Sequence, residues 1–185
     1  MARLPYVDPA TAPEAVREVL ARLPVSLNVF RMMAHAETGF RPLLGLGTAI
    51  LAQQQLSPKL RELTILRVAR LSPAEYEWVQ HVPIALATGA TQAQIDALAR
   101  DDIEDASFDA IERLVLRFAT EVIRDVRASD ATFAALAGRL SPREIVELIV
   151  TVGYYMMIAR LLETTAVDID PPAGTRLVDS LERPR

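Results

Sequence analysis

Four short strings constrain this chain more than anything else in it: Thr11-Ala12-Pro13-Glu14, Ser72-Pro73-Ala74-Glu75, Thr91-Gln92-Ala93-Gln94 and Ser141-Pro142-Arg143-Glu144. In each, a hydroxyl side chain is followed three residues later by Glu or Gln. The hydroxyl can accept from an orphan backbone N–H, and the longer side chain can reach back to the cap. Ser57-Pro58 adds a hydroxyl cap with proline at the first helical position. Together with apolar residues recurring at helical spacing, these starts predict helices near 12–23, 28–36, 39–54, 57–70, 73–88, 92–99, 107–127, 129–138 and 141–163. Gly89 and Gly138 are placed to stop the fifth and the eighth. No segment alternates with period two, so the expected fold class is all-α.

Composition supports this reading. Hydrophobic residues make up 51% of the 185 and aromatic residues only 5%, so packed aliphatic helices must supply the core. The sequence predicts one all-helical domain over 1–167 and a polar tail over 168–185. That tail carries Pro171-Pro172 and Gly174, and is expected to be mobile or docked on a neighbouring subunit. The last helix of the domain is apolar nearly all round, which predicts burial over most of its surface. Its longest apolar run, Leu148–Ala159, falls short of the roughly 20 residues that span a bilayer. Met1–Pro5 is not followed by a signal-peptide core, and the expected location is cytoplasmic with no membrane partner. A net charge of −4 and no Lys or Arg run offer no footprint for nucleic acid. No cysteine is present, which excludes disulfides, thiolate catalysis and cysteine metal sites.

The candidate chemistry lies in two consecutive predicted helices. Glu62 sits in the second turn after Ser57, with Ile65, Leu66 and Ala69 on its face, so its carboxylate is expected to be at least partly buried. Two readings follow: a general acid or base with a raised pKa, or an ion pair with an arginine such as Arg67 or Arg70. His81 falls in the middle of the next helix, and Glu77 stands one turn before it. That spacing allows a Glu77–His81 hydrogen bond, which would fix a tautomer and favour the imidazolium. The alternative is a histidine tied to its local glutamate at the edge of the core. Tyr76 and Trp78 flank Glu77 and read as pocket wall or plain core. His35 reads as a pocket residue or as a cap for its own helix. Tyr154 or Tyr155 is placed to hydrogen-bond a buried acid. Neither a phosphate loop nor HExxH occurs. A mononuclear metal on Glu62, Glu77 and His81 lacks a second histidine nearby, and no metal or other cofactor is expected.

The stretch Leu56–Leu98 resembles the carboxymuconolactone decarboxylase and alkylhydroperoxidase D superfamily. The resemblance rests on Leu56-Ser57-Pro58, Arg61-Glu62-Leu63, Glu75-Tyr76, His81, Ala85, Gly89 and Ile95, and Asn28–His35 is similar to the family's amino-terminal helix. It implies an alkylhydroperoxidase D-like helical bundle that assembles into homo-oligomers, trimers or hexamers. In the peroxidase branch two cysteines, three residues apart, precede the histidine. Matching that histidine to His81 puts them at Ala74 and Glu77, so thiol peroxidase chemistry is excluded here. The lactone decarboxylase branch needs no thiol pair and requires proton delivery to a developing carbanion. The Glu-to-His register follows the peroxidase branch more closely, so the decarboxylase's substrate is not carried over. The resemblance implies a cofactor-independent acid/base enzyme, lyase- or isomerase-like, on a small carboxylate or lactone. Glu62 and His81 would transfer the proton, Glu77 would orient or charge His81, and Tyr76, Trp78 and His35 would shape the pocket. The rival expectation is a non-catalytic small-molecule binding or assembly protein built on the same fold.

Overall fold

The computed structural model describes residues 1–182 and contains ten helices among them. They are α1 (Glu14–Ala21), α2 (Asn28–Met33), α3 (Glu37–Ala52), α4 (Pro58–Leu71), α5 (Glu75–Ala87), α6 (Gln92–Ala99), α7 (Ala110–Asp125), α8 (Asp130–Ala137), α9 (Pro142–Thr165) and α10 (Gly174–Glu182). No strand occurs among the described residues. All nine expected helices form.

The caps explain where they begin. Thr91 and Ser141 close capping boxes with Gln94 and Glu144. Asp109 does the same with Glu112, and Ser129 caps α8; neither was anticipated. Two expected boxes fail. Thr11 is bypassed because α1 starts after Pro13, and Ser72 ends α4 rather than starting α5. Gly89 adopts φ +101°, the left-handed stop expected of it.

Helix α4 is the axis of the molecule, packed by α5, α7 and α9. Every residue from Leu60 to Ala69 is buried, charged ones included. Such a helix is stable only if its polar side chains find partners inside. They do. Thr64 Oγ1 donates to the Leu60 carbonyl at 2.8 Å, and Arg61 Nη1 donates to the Leu51 carbonyl at 2.8 Å. Arg67 bonds Thr120 through Nε at 2.9 Å and pairs with Asp101.

Helix α9 departs from expectation. It runs for 24 residues, enough by length and composition alone to pass for a membrane span. Ile145, Leu148, Val152, Tyr155, Ile158 and Leu162 are buried. Val146, Ile149, Val150 and Met157 are exposed, so only one side of the helix is covered.

The tail is neither loose nor waiting for a neighbour: through Glu182 it folds onto its own chain, and residues 183–185 lie outside the described residues. Asp170 Oδ2 accepts from the Tyr76 hydroxyl at 2.5 Å and from the Asn28 backbone N–H at 2.7 Å, serving the orphan N-terminus of α2. The Gln80 carboxamide grips both sides of the turn. Its Nε2 donates to the Asp170 and Pro171 carbonyls, and its Oε1 accepts from the Ala173 N–H. At Gly174 a Cβ would lie 2.5 Å from the Gln80 carbonyl oxygen and 2.6 Å from Ile84 Cδ1. Only glycine lets α10 approach α5 this closely.

Candidate active site

Glu62 projects from the second turn of α4 toward α5 and is fully buried. Its two oxygens have separate duties. Oε1 accepts from Arg61 Nε at 2.9 Å, and Oε2 lies 2.8 Å from Nδ1 of His81. A carboxylate only accepts, so opposite an ionised Glu62 Nδ1 carries the hydrogen, and in the neutral imidazole Nε2 is the acceptor nitrogen. Among the described residues Nε2 has no hydrogen-bond partner. The Tyr155 ring meets the imidazole edge-on, with centroids 4.9 Å apart and planes at 90°. Three constraints therefore hold one ring: the helix, the carboxylate and the aromatic edge.

His81 lines a cavity of about 360 Å³. Its walls come from α1, α2, α3, α5 and α9, and Gly174 from the docked tail closes one side. Most of the lining is apolar, including Leu23, Phe30, Met33, Leu51 and Ile158. Arg22 and Arg41, both exposed, bring positive charge to its rim. Among the described residues Arg41 has only a long, exposed contact with Glu18 at 3.9 Å, which holds it weakly. Gly47 makes room for Tyr154: a Cβ there would sit 2.6 Å from the tyrosine hydroxyl, which donates to the Leu43 carbonyl at 3.1 Å.

The geometry reassigns several residues. Glu62 does not line the cavity; it reaches it only through His81, which makes it a positioning residue. Its cation is Arg61, not Arg67 or Arg70, so ion pair and histidine contact coexist. Glu77 does not hydrogen-bond His81; the imidazole contact is to Glu62, through Nδ1. Instead Glu77 lines the cavity with both carboxyl oxygens buried and unpartnered. Burial, with the negative charge of Glu163 nearby, pushes its pKa well above the usual carboxylate range. Glu62, Glu77 and His81 thus do not converge as metal ligands, and no group of three His, Cys, Asp or Glu capable of holding a metal occurs among the described residues.

Tyr76 lines the cavity, with its hydroxyl committed to Asp170. Burial and that contact raise its pKa. Trp78 lies away from the cavity, packed against the Leu63, Leu66 and Ala85 cluster. His35 is exposed, and its Nε2 is 2.7 Å from the Pro5 carbonyl. It neither lines the cavity nor caps its helix; it ties down the amino-terminal segment. Neither Tyr154 nor Tyr155 hydrogen-bonds a buried acid. Burial and the Glu77 charge push Tyr154 up to about 12, and burial holds Tyr155 well above the usual tyrosine range. Sequence reasoning missed Gln80, Gly47, Gly174, Arg22 and Arg41. Of these only Gly174 left a trace there, as a glycine of the polar tail.

Residues 39–121, which include Glu62, Glu77 and His81, match the sequence model of the Carboxymuconolactone decarboxylase family. Among solved structures, an uncharacterised peroxidase-related protein from Ralstonia eutropha with an alkylhydroperoxidase AhpD core superposes with TM-score 0.77 at 20% identity, covering 96% of this chain and 95% of that one. The chain has an alkylhydroperoxidase D-like fold, and its segment 39–121 is similar to the Carboxymuconolactone decarboxylase family. A peroxidase-related protein from a Silicibacter species gives TM-score 0.75 at 19% identity, covering 91% and 92%. A cysteine-to-alanine variant of the debrominase Bmp8, in complex with 2,3,4-tribromopyrrole, gives 0.74 at 18% identity, covering 98% and 100%. No curated protein matches the sequence. At these identities the structural likeness concerns the fold, and the chemistry must be argued from the residues here.

Proposed function

We propose that this protein is a cofactor-independent acid/base enzyme of lyase or isomerase type, acting on a small, largely apolar carboxylate or lactone. The observation that carries this reading is the free Nε2 of His81, facing a cavity while Nδ1 is held by a fully buried carboxylate. In this reading His81 Nε2 takes a proton from the substrate and returns it. Glu62 holds the reactive tautomer and stabilises the transient imidazolium, while Arg61 balances the carboxylate charge. Arg22 and Arg41 attract the anionic end of the substrate to the rim.

The cavity suits one small ring or short chain. That Bmp8 is seen with a flat halogenated pyrrole supports a role for this fold in housing such molecules. Chemistry that needs a thiol does not transfer, because no cysteine is present. The same fact favours a second reading, a binding protein without turnover, since Ala74 and Glu77 stand where the peroxidase branch places its thiols.

Hydrogen–deuterium exchange into a panel of unsaturated lactone acids and keto acids, followed by proton NMR, separates the two. Catalysed exchange that falls about 10²–10⁴-fold in His81→Asn, with unchanged helicity, is the expected result. Ligand-induced shifts without exchange would favour the binding protein, and full exchange in His81→Asn would remove His81 from the mechanism.

A further inference from the structure

Glu77 differs from every other buried charged residue described in this chain. Arg61, Glu62, Arg67 and Glu112 are all tied by hydrogen bonds or ion pairs; Glu112, for example, takes Lys59, Gln94 and the Asp109 N–H. Glu77 is 2% exposed, and both its oxygens lack a partner. A carboxyl in that position costs stability unless something else uses it. It lines the cavity one helical turn before His81, which places the two groups about 6 Å apart along α5. The other titratable groups near it are Tyr76 on α5, and Tyr154, Tyr155 and Glu163 on α9, with Arg22 and Arg41 at the rim. None of these donates a hydrogen bond to it.

We propose that Glu77 is a ligand-contacting acid whose O–H donates to a carbonyl oxygen of the substrate while His81 handles the neighbouring C–H. This rests on the proton-transfer role given to His81 above and narrows the substrate class to small carbonyl acids with an exchangeable hydrogen next to the carbonyl. The spacing fits, because an α-hydrogen and its carbonyl oxygen point from adjacent carbons toward two groups one turn apart.

The step balances. His81 Nε2 takes the α-hydrogen as a proton, and the C–H electron pair becomes the C=C bond of an enol. The carbonyl π pair moves to oxygen, which takes the proton of Glu77. The imidazolium then points Nδ1–H at Glu62, and Glu77 is left as a carboxylate. Return of both protons gives exchange at the same carbon, or an isomer if a conjugated carbon is protonated instead. No oxidant, reductant or metal enters. The high pKa that burial confers on Glu77 supports its carrying a proton at neutral pH.

The test uses levulinate and pentanoate, carboxylates that differ by one ketone. Calorimetry on the full chain is expected to show levulinate binding about tenfold more tightly, the worth of one hydrogen bond in a dry site. Glu77→Leu is expected to erase that preference. Glu77→Gln, which keeps an N–H donor, is expected to retain the preference while slowing exchange at least tenfold. Infrared difference spectra between wild type and Glu77→Gln are expected to show a protonated carboxyl at pH 7. Equal affinity or no binding for the pair, a preference that survives Glu77→Leu, or an ionised Glu77 would each overturn the proposal. Exchange that persists in His81→Asn would instead sink the role of His81, while the levulinate preference still reports on Glu77.

Discussion

Two buried glutamates on neighbouring helices live in opposite worlds. Glu62, in the α4–α5 seam, is fully enclosed and has a guanidinium on one oxygen and an imidazole on the other. Glu77, on the cavity face of α5, is almost as buried and has nothing on either. The first is a completed polar network, which rigidifies the site. The second is an open valence, tolerated where a ligand can complete it and costly when the cavity is empty. Burial alone therefore says little about a carboxyl; what its oxygens face decides whether it is scaffold or tool.

The contrast is broken most directly by deleting each acid in turn. Glu62→Leu strands the Arg61 guanidinium and the His81 Nδ1–H in the core, and is expected to cost about 3–5 kcal/mol in urea unfolding. Glu77→Leu removes an unsatisfied group and is expected to gain about 1–3 kcal/mol, with the opposite sign. Equal losses from both substitutions would erase the distinction.

A pH series sharpens it. Burial raises the pKa of Glu77 in the folded chain well above the value near 4.5 that it has when unfolded. The folded state is therefore the more protonated one between that value and its own higher pKa. Stability contributed by Glu77 is complete below about 4.5 and declines as pH rises through the window, by at most about 1.4 kcal/mol per pH unit. Glu77→Gln is expected to flatten this slope. Asp101 runs the other way: the Arg67 contact lowers its pKa, so its contribution is lost only as pH falls below the usual aspartate value. The smallest expected effect comes from Tyr76→Phe, which removes one hydroxyl from Asp170 and should cost about 1 kcal/mol while speeding amide exchange at Asn28.

Much of this was legible in the sequence, for reasons that differ by residue. The helices announce themselves through caps and apolar spacing, which are local. The Glu62–His81 meeting follows from apolar neighbours on consecutive helices, reinforced by the family register. Glu77 was misassigned because spacing of one turn shows that two side chains are neighbours, not that they face each other; His81 had already been claimed from across the seam. Trp78, two residues from Tyr76, turns to the other side of the same helix. The tail was illegible because the residues that dock it, Asn28, Tyr76 and Gln80, lie 142, 94 and 93 positions from their tail partners, and its helix has no hydroxyl cap to reveal it.

The most direct test of the account is nitrogen NMR of the His81 ring, with and without a bound keto acid. Neutral His81 is expected to carry its hydrogen on Nδ1, Glu62→Gln to perturb that nitrogen, and ligand to move the Nε2 resonance. A hydrogen on Nε2, or an Nε2 signal indifferent to every ligand that fills the cavity, would contradict it.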